Sequence, residues 1–445
     1  MHQNYPQGFR KRRAQNWLTL GLMYSAYYIA RYNFRAATPF LVDEFHFSKS
    51  DISSLWAAFS FAYGTGQLIN GLFTDRIGGK NAMLIGGFGT IIVNLICGFS
   101  PMISSFSTFS SILLLNGYFQ SWGAPGMVKI NAAWFKRSER GTFAGVFGFM
   151  VQLGQIISAH LSPLLLAGVA IGAFVIAENH WQWLFRVPPM IVAVMMLLTA
   201  FLVKESPEMA GYDSKVIIDE IDDTNGVRVS LRESFKTIFN HPLIWFYALA
   251  YACTGAARHS IDQLATLFFV EKLSVDPQGD GTLKWIFTFM PFVSVIGSFV
   301  AGWVSDKMFS GHRGPVASKL YFLAGLTMVL GAGVIHWFSQ SIWISGAILL
   351  TVALPINATH SIIGSAAPMD IGGKKMAGFA AGVIDSFQYY GAAIAMPFVG
   401  RMIDWYGWDA WLPSMSIFCF FGGLAMLKLT TVKENLRKLG VKTTG

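Results

Sequence analysis

Charge is what this sequence has little of. Only 13% of its 445 residues are Asp, Glu, Lys or Arg, against about 25% in an ordinary soluble protein. So few charges cannot clothe a chain of this length in water, which excludes a soluble enzyme or a string of soluble domains. Cysteine is scarce as well. Cys97, Cys253 and Cys419 stand far apart inside apolar runs, so neither a disulfide framework nor a zinc spacing can be drawn. No G-x-x-x-x-G-K-[ST] loop occurs, and "GLFTDRIGGK" (71–80) does not match one, so ATP-driven transport is not supported. Paired carboxylates and a nucleophile motif are also missing. The chain reads as a non-enzyme that needs no cofactor and no metal. No cleavable signal peptide is evident: "RKRR" (10–13) leads straight into a full-length apolar run.

What the sequence has is apolar length. Hydrophobic residues make up 53% and aromatics 15%. Runs of about 20 apolar residues recur, each long enough to cross hydrocarbon as a helix. Backbone groups in lipid must be satisfied within the segment, so these runs are expected to be helices. The spacing predicts about twelve spans, at 16–41, 52–74, 82–105, 108–134, 141–174, 183–203, 241–272, 282–304, 317–338, 341–366, 376–402 and 409–428. The longest polar segment, 204–240, divides them into two sets of six. The expected organisation is a first half at 1–203, a cytoplasmic linker at 204–240 and a second half at 241–445.

The net charge of +9 could suggest nucleic acid, but its placement argues otherwise. Arg10 to Arg13, Arg76, Lys80, Lys136, Arg137, Arg140, Lys307, Arg313, Lys374, Lys375, Arg437 and Lys438 fall in loops on one predicted side. Asp43, Glu44, Glu178, Asp404 and Asp409 fall on the other. This is the positive-inside bias, and it puts both termini in the cytoplasm. The partners implied are a lipid bilayer and a small solute, with no nucleic acid.

The halves resemble each other. "GLFTDRIGGK" (71–80) answers "GWVSDKMFSGHRG" (302–314), and "GTFAGVFGFMVQLG" (141–154) answers "GFAAGVIDSFQYYG" (378–391). A six-span internal repeat is common among secondary carriers, with the solute site near the midplane. A similar offset carries Arg31, in "SAYYIARYNF" (25–34), to Arg258, in "YACTGAARHSIDQL". Tyr24 precedes Arg31 by seven residues, as Tyr251 precedes Arg258, which puts each pair on one helix face. Tyr28 shares the first of these faces.

A charge at the bilayer centre costs roughly 2.5–3.5 kcal/mol on insertion scales. Two such charges at equivalent positions need a common explanation. A structural reading would pair Arg258 with Asp262 along its own helix. The functional reading is an anion site. Arg offers a planar fork that fits phosphate or carboxylate in bidentate fashion at any relevant pH. Two arginines about 10 Å apart repel by roughly 1–2 kcal/mol, which a bound dianion would remove. Exchange of one anion for another is the expected consequence.

The residues at this point resemble a known family. "GLFTDRIGGK" looks like the loop motif between the second and third spans of the major facilitator superfamily. "SAYYIARYNF", "GYFQSWGAP", "WFKRSERG" and "GWVSDKMFSGHRGP" resemble its organophosphate:phosphate antiporter family, the glycerol-phosphate and hexose-phosphate carriers. The resemblance implies an all-α membrane protein of 12 helices in two pseudo-symmetric halves. It also implies exchange of a phosphorylated metabolite for inorganic phosphate. The family's phosphate-binding arginines match Arg31 and Arg258, and its site tyrosines fall on Tyr24, Tyr28, Tyr63 and Tyr389. This chain departs from the pattern at three places: Tyr32 and Gln67 stand where lysines are expected, and Val151, beside Gln152, where a histidine is.

Other candidates accompany these. Gln152 could read substrate hydroxyls, as could Gln155 and Gln388. His360 and Asp385 are rare intramembrane titratable groups placed to line the site, and His259 sits beside Arg258. Arg35 and Asp262, one turn beyond the arginines, suggest a pair at the outer mouth. Asp75 with Arg76 and Asp306 with Lys307 suggest cytoplasmic gating. Lys129 is expected to snorkel. The expected molecule is a monomeric multi-pass protein of a bacterial inner membrane. A proton-coupled organic anion (carboxylate) carrier and a transporter-like sugar-phosphate sensor remain alternatives at this stage.

Overall fold

The computed structural model describes residues 5–135, 137–171, 174–213, 239–240, 243–276, 281–309, 313–338 and 341–438, except for the side chains at 75, 137–149, 171, 174, 302, 306, 313, 365–381 and 433–438. Among these residues helices dominate. They are α1 (Phe9–Phe45), α2 (Lys49–Ile77), α3 (Gly79–Phe99), α4 (Phe106–Gln120), α5 (Gly123–Trp134) and α6 (Arg137–Leu166). After α6 come the short antiparallel strands β1 (Val169–Ile171) and β2 (Phe174–Ile176). Then follow α7 (Trp183–Leu202), α8 (Ile244–Leu273), α9 (Gly281–Met308), α10 (Arg313–Trp337), α11 (Ile342–Tyr406) and α12 (Trp411–Lys438).

Among the described residues, six helical segments are long and apolar enough to cross a membrane: Gly79–Phe99, Trp183–Leu202, Gly281–Ser305, Gly314–Trp337, Ile342–Gly364 and Trp408–Val432. Helices α1 and α8 are longer still, at 37 and 30 residues. Polar residues run along them, and these are the helices that carry the two arginines.

Four expected spans differ in form. The fourth breaks in two at Ser121 and Trp122, between α4 and α5. Pro125 explains the break: it has no N–H to give the preceding turn, and its ring crowds the carbonyl four residues back. The fifth stops at Leu166 instead of continuing to 174, because Gly168 takes a φ of 84° and the chain turns into the β1–β2 hairpin. The tenth and eleventh lie in one helical run, α11. Tyr251 Oη contacts His360 Nδ1 at 2.9 Å and the Gln388 amide at 3.3 Å. Twenty-eight residues of straight helix would separate those two by about 42 Å, so α11 folds back between them. Its two limbs serve as the tenth and eleventh spans.

The chain forms two compact units. The first comprises residues 1–36, 65–104 and 114–228. Its core gathers Phe9, Met23, Tyr27, Met83, Ile130, Trp134 and Val192, all at most 1% exposed. Polar ties lock the helices. Asn33 Nδ2 donates to Asn94 Oδ1 (2.8 Å) and to the Leu184 carbonyl (3.0 Å), joining α1, α3 and α7. Ser25 Oγ donates to the Met150 carbonyl at 2.5 Å. The Glu205 carboxylate accepts from the backbone N–H of Gly79 and of Lys80 and closes the open end of α3.

The second unit comprises residues 37–64, 105–113 and 229–445. Here α8 packs on the return limb of α11, with Gly255 against the Gln388 carbonyl and Gly391 against the Ala252 backbone. Tyr321 Oη donates to the Ala250 carbonyl at 2.5 Å and pairs with Thr254 Oγ1. The start of α2 belongs to this unit. Asp404 accepts from the backbone N–H of Lys49 and Ser50, each at 2.9 Å, while Lys49 Nζ meets Glu271 at 2.9 Å. The expected linker at 204–240 lies largely in residues outside those described.

Candidate functional site

In the first unit Arg31 is 4% exposed. Its Nε donates to Gln120 Oε1 at 2.8 Å, and its guanidinium carbon lies 4.6 Å from the Tyr28 ring centroid. Gln120 is held in turn: its Nε2 reaches Asn116 Oδ1 at 3.3 Å and the Ala30 carbonyl at 3.5 Å. Asn116 Oδ1 lies 3.5 Å from Asn94 Nδ2, which continues the ladder to Asn33. These amides fix the arginine through neutral partners, and the ring face over the guanidinium adds a cation–π attraction.

Tyr24 and Tyr28 pack with ring centroids 5.5 Å apart, and Tyr28 stacks on Tyr32 at 5.9 Å. Arg35 lies over the Tyr32 ring at 4.8 Å. Four residues at helical spacing thus form one aromatic and basic track on α1. Gln152 is half-buried on α6, and Gln67 is buried on α2.

In the second unit Arg258 Nη1 faces two acceptors. The orientation of the Gln388 amide that satisfies its neighbours puts its oxygen 3.1 Å from Arg258 Nη1. The amide nitrogen then donates to Asp385 Oδ1 and Tyr251 Oη, both at 3.3 Å. His360 Nε2 lies 3.4 Å from the same Nη1. The His360 ring stacks on Tyr251 with centroids 5.3 Å apart and planes 15° apart. Asp262 Oδ2 is 3.8 Å from Arg258 Nε, one turn along α8. Tyr389 packs against Tyr63 at 4.3 Å and against His259 at 5.1 Å.

Arg258, His360, Asp385, Tyr63 and Tyr389, which the sequence picked out singly, therefore lie in one connected group. Arg31, Tyr24, Tyr28 and Arg35 form another. Arg76 and Lys307 are exposed, while the Asp75 and Asp306 side chains lie outside the described residues. Gln120 and its asparagine ladder were not singled out from the sequence. Their signal is the position of Gln120 in "GYFQSWGAP", immediately before a proline-enforced break.

A model of the Major Facilitator Superfamily matches residues 20–396. The chain belongs to that superfamily. Its fold is the superfamily's: an all-α membrane protein of twelve spans in two pseudo-symmetric sets of six. Among curated proteins, a membrane sensor protein, UhpC, of Escherichia coli is 28% identical, covering 94% of this chain and 92% of the sensor. A glycerol-3-phosphate transporter of Bacillus subtilis is 26% identical over 90% of this chain and 88% of the transporter. These similarities bear out the resemblance to the organophosphate:phosphate antiporter family. Among solved structures, an inward-facing, unoccupied bacterial homolog of the human lysosomal transporter Spinster superposes with a TM-score of 0.69 at 14% identity, covering 94% of each chain. That likeness concerns the fold alone.

Proposed function

We propose that this Major Facilitator Superfamily member is a secondary active transporter. It exchanges a phosphorylated organic metabolite, of the sugar phosphate, glycerol phosphate or phosphoglycerate class, for inorganic phosphate by alternating access. The observation that carries this reading is that each unit sets an arginine against neutral acceptors. Gln120 and Tyr28 attend Arg31; Gln388 and His360, both in contact with Tyr251, attend Arg258, whose Nε also lies 3.8 Å from Asp262. Neutral partners fix the geometry of a guanidinium without cancelling its charge, which suits an oxyanion. The relatives' activities point the same way.

In this reading Arg31 and Arg258 hold the phosphoryl oxygens. Tyr24, Tyr28, Tyr63, Tyr389, Gln152, His360 and Asp385 line the site. Arg35, Asp262, Asp75, Arg76, Asp306 and Lys307 gate it. The functional halves are 1–203 and 241–445, joined by the 204–240 linker, in a monomer of a bacterial inner membrane with cytoplasmic termini. The test is exchange of labelled phosphate into phosphate-loaded proteoliposomes. Wild type should exchange, while Arg31→Lys and Arg258→Lys should lose roughly 100-fold or more, because lysine cannot reproduce the bidentate fork. Full activity in both variants would sink the arginine assignment. The similarity to a sensor supports a second reading, in which sugar phosphate is bound and signalled; wild type that binds phosphate without exchanging it would favour that reading.

A further inference from the structure

His360 stands at a position where hydrogen bonding determines which ring nitrogen carries the proton. A guanidinium nitrogen has no lone pair to offer. The contact between Arg258 Nη1 and His360 Nε2 at 3.4 Å therefore needs the lone pair of Nε2. Nδ1 then carries the hydrogen and donates to Tyr251 Oη at 2.9 Å. The imidazole in this arrangement is neutral, and stacking on Tyr251 fixes its plane.

The first repeat has the matching arrangement with one substitution. There the acceptor for the arginine is Gln120 Oε1. The neighbourhoods correspond: Gly123 lies against Tyr24, and Gly364 against Tyr251 Oη, with Tyr24 and Tyr251 each seven residues before their arginine. Each arginine thus meets a neutral acceptor that precedes such a glycine by three or four residues. In one half that acceptor is an amide, which cannot gain a proton near neutral pH. In the other it is an imidazole, which can.

We propose that His360 couples anion binding at Arg258 to the uptake of one proton, an inference that rests on the organophosphate reading above. In the empty site neutral His360 accepts from Arg258. When phosphoryl oxygens take the guanidinium N–H, the Arg258–His360 hydrogen bond is lost and the Nε2 lone pair is released. Nε2 then takes one proton from bulk water and donates the new N–H to the same anion, while Nδ1–H stays on Tyr251. The site gains one positive charge with the substrate bound. Among the described residues of this unit, the titratable or charged groups facing the imidazole are Tyr251, Arg258 and His259 of α8, with Asp262 beside Arg258, Asp385 beside Gln388 and Tyr389 beside His259.

The test is titration calorimetry of the full-length purified protein with inorganic phosphate, between about pH 6 and about pH 8. Using two buffers of different ionisation enthalpy counts the protons taken up per phosphate bound. Wild type, His360→Gln and His360→Ala are compared. Gln can accept from Arg258 and donate to phosphate but cannot titrate, so H360Q also corrects for the titration of phosphate itself. Wild type should take up about one proton more than H360Q, and its Kd should rise up to about tenfold per pH unit relative to H360Q. H360A should bind more weakly than H360Q throughout, showing that the acceptor positions Arg258. His360→Asn, read the same way, replaces H360Q if the latter does not purify folded. Equal proton counts and parallel pH profiles in wild type and H360Q would overturn the coupling while leaving the transport reading intact. Wild type that binds no phosphate at any pH would overturn both.

Discussion

Arg31 and Gln120 are 89 residues apart in sequence and 2.8 Å apart in the fold, joined by a hydrogen bond from a buried guanidinium to a buried amide. A hydrogen bond to a charged group contributes about 1.5–3 kcal/mol. Gln120→Ala should therefore raise the KM for phosphate roughly 10–100-fold with a smaller effect on the maximal exchange rate, because the arginine is kept but less well aimed. Concentration dependence of exchange in proteoliposomes reads this directly. An unchanged KM would show that Gln120 only packs.

The crossing of α8 with the return limb of α11 predicts a contrast between two glycines. A Cβ on Gly391 would fall on the Ala252 backbone, whereas a Cβ on Gly333 meets nothing within 4 Å. Gly391→Ala should cost about 1–3 kcal/mol from overpacking and lower the thermal unfolding midpoint in detergent. Gly333→Ala, in the interior of α10, should leave the midpoint unchanged or raise it by the equivalent of up to about 1 kcal/mol. Similar midpoints for the two variants would contradict the close approach.

Two carboxylates close helix starts from far away in sequence. Asp404 receives the N–H groups of Lys49 and Ser50 at the start of α2, and Glu205 those of Gly79 and Lys80 at the start of α3. Losing such a cap costs about 0.5–2 kcal/mol. Asp404→Ala and Glu205→Ala should each lower the unfolding midpoint, and Asp404→Asn, which retains an acceptor oxygen, should lower it less. A stable Asp404→Ala protein would show that water replaces the carboxylate without loss.

The thiols of Cys97, Cys253 and Cys419 are at most 5% exposed. A membrane-impermeant maleimide should leave the native protein unlabelled and its exchange rate unchanged, and should label all three only after denaturation, as mass spectrometry would record. Rapid labelling of any of the three in the folded protein would place that thiol on a solvent path.

The broad architecture was legible because hydrocarbon imposes few solutions, so apolar length reported the spans. The arginines were legible too, since a buried cation at equivalent places in two repeats stands out against its background. Their partners were harder to read. Gln120 meets Arg31 from another helix, and a glutamine among apolar residues carries no periodicity that points to its contact. The break between α4 and α5 was written in Pro125 but hidden within an unbroken apolar run. The suggested pairing of Arg35 with Asp262 followed only from their similar level. In the fold Asp262 lies 3.8 Å from Arg258 on its own helix, and Arg35 lies over Tyr32, local contacts that level alone did not reveal.

The Gly255–Gly391 crossing also acts as a ruler. With no side chain between the two backbones, the distance from the α11 limb to Arg258 is set by main chain, which hardly yields. Gln388 spans that distance to within 3.1 Å of Arg258 Nη1. Asparagine would be shorter by about one carbon–carbon bond, ~1.5 Å, and its oxygen would fall out of hydrogen-bonding range. The gap between these two helices therefore has one fitting amide length, and the two glycines, which touch no anion, are what define it.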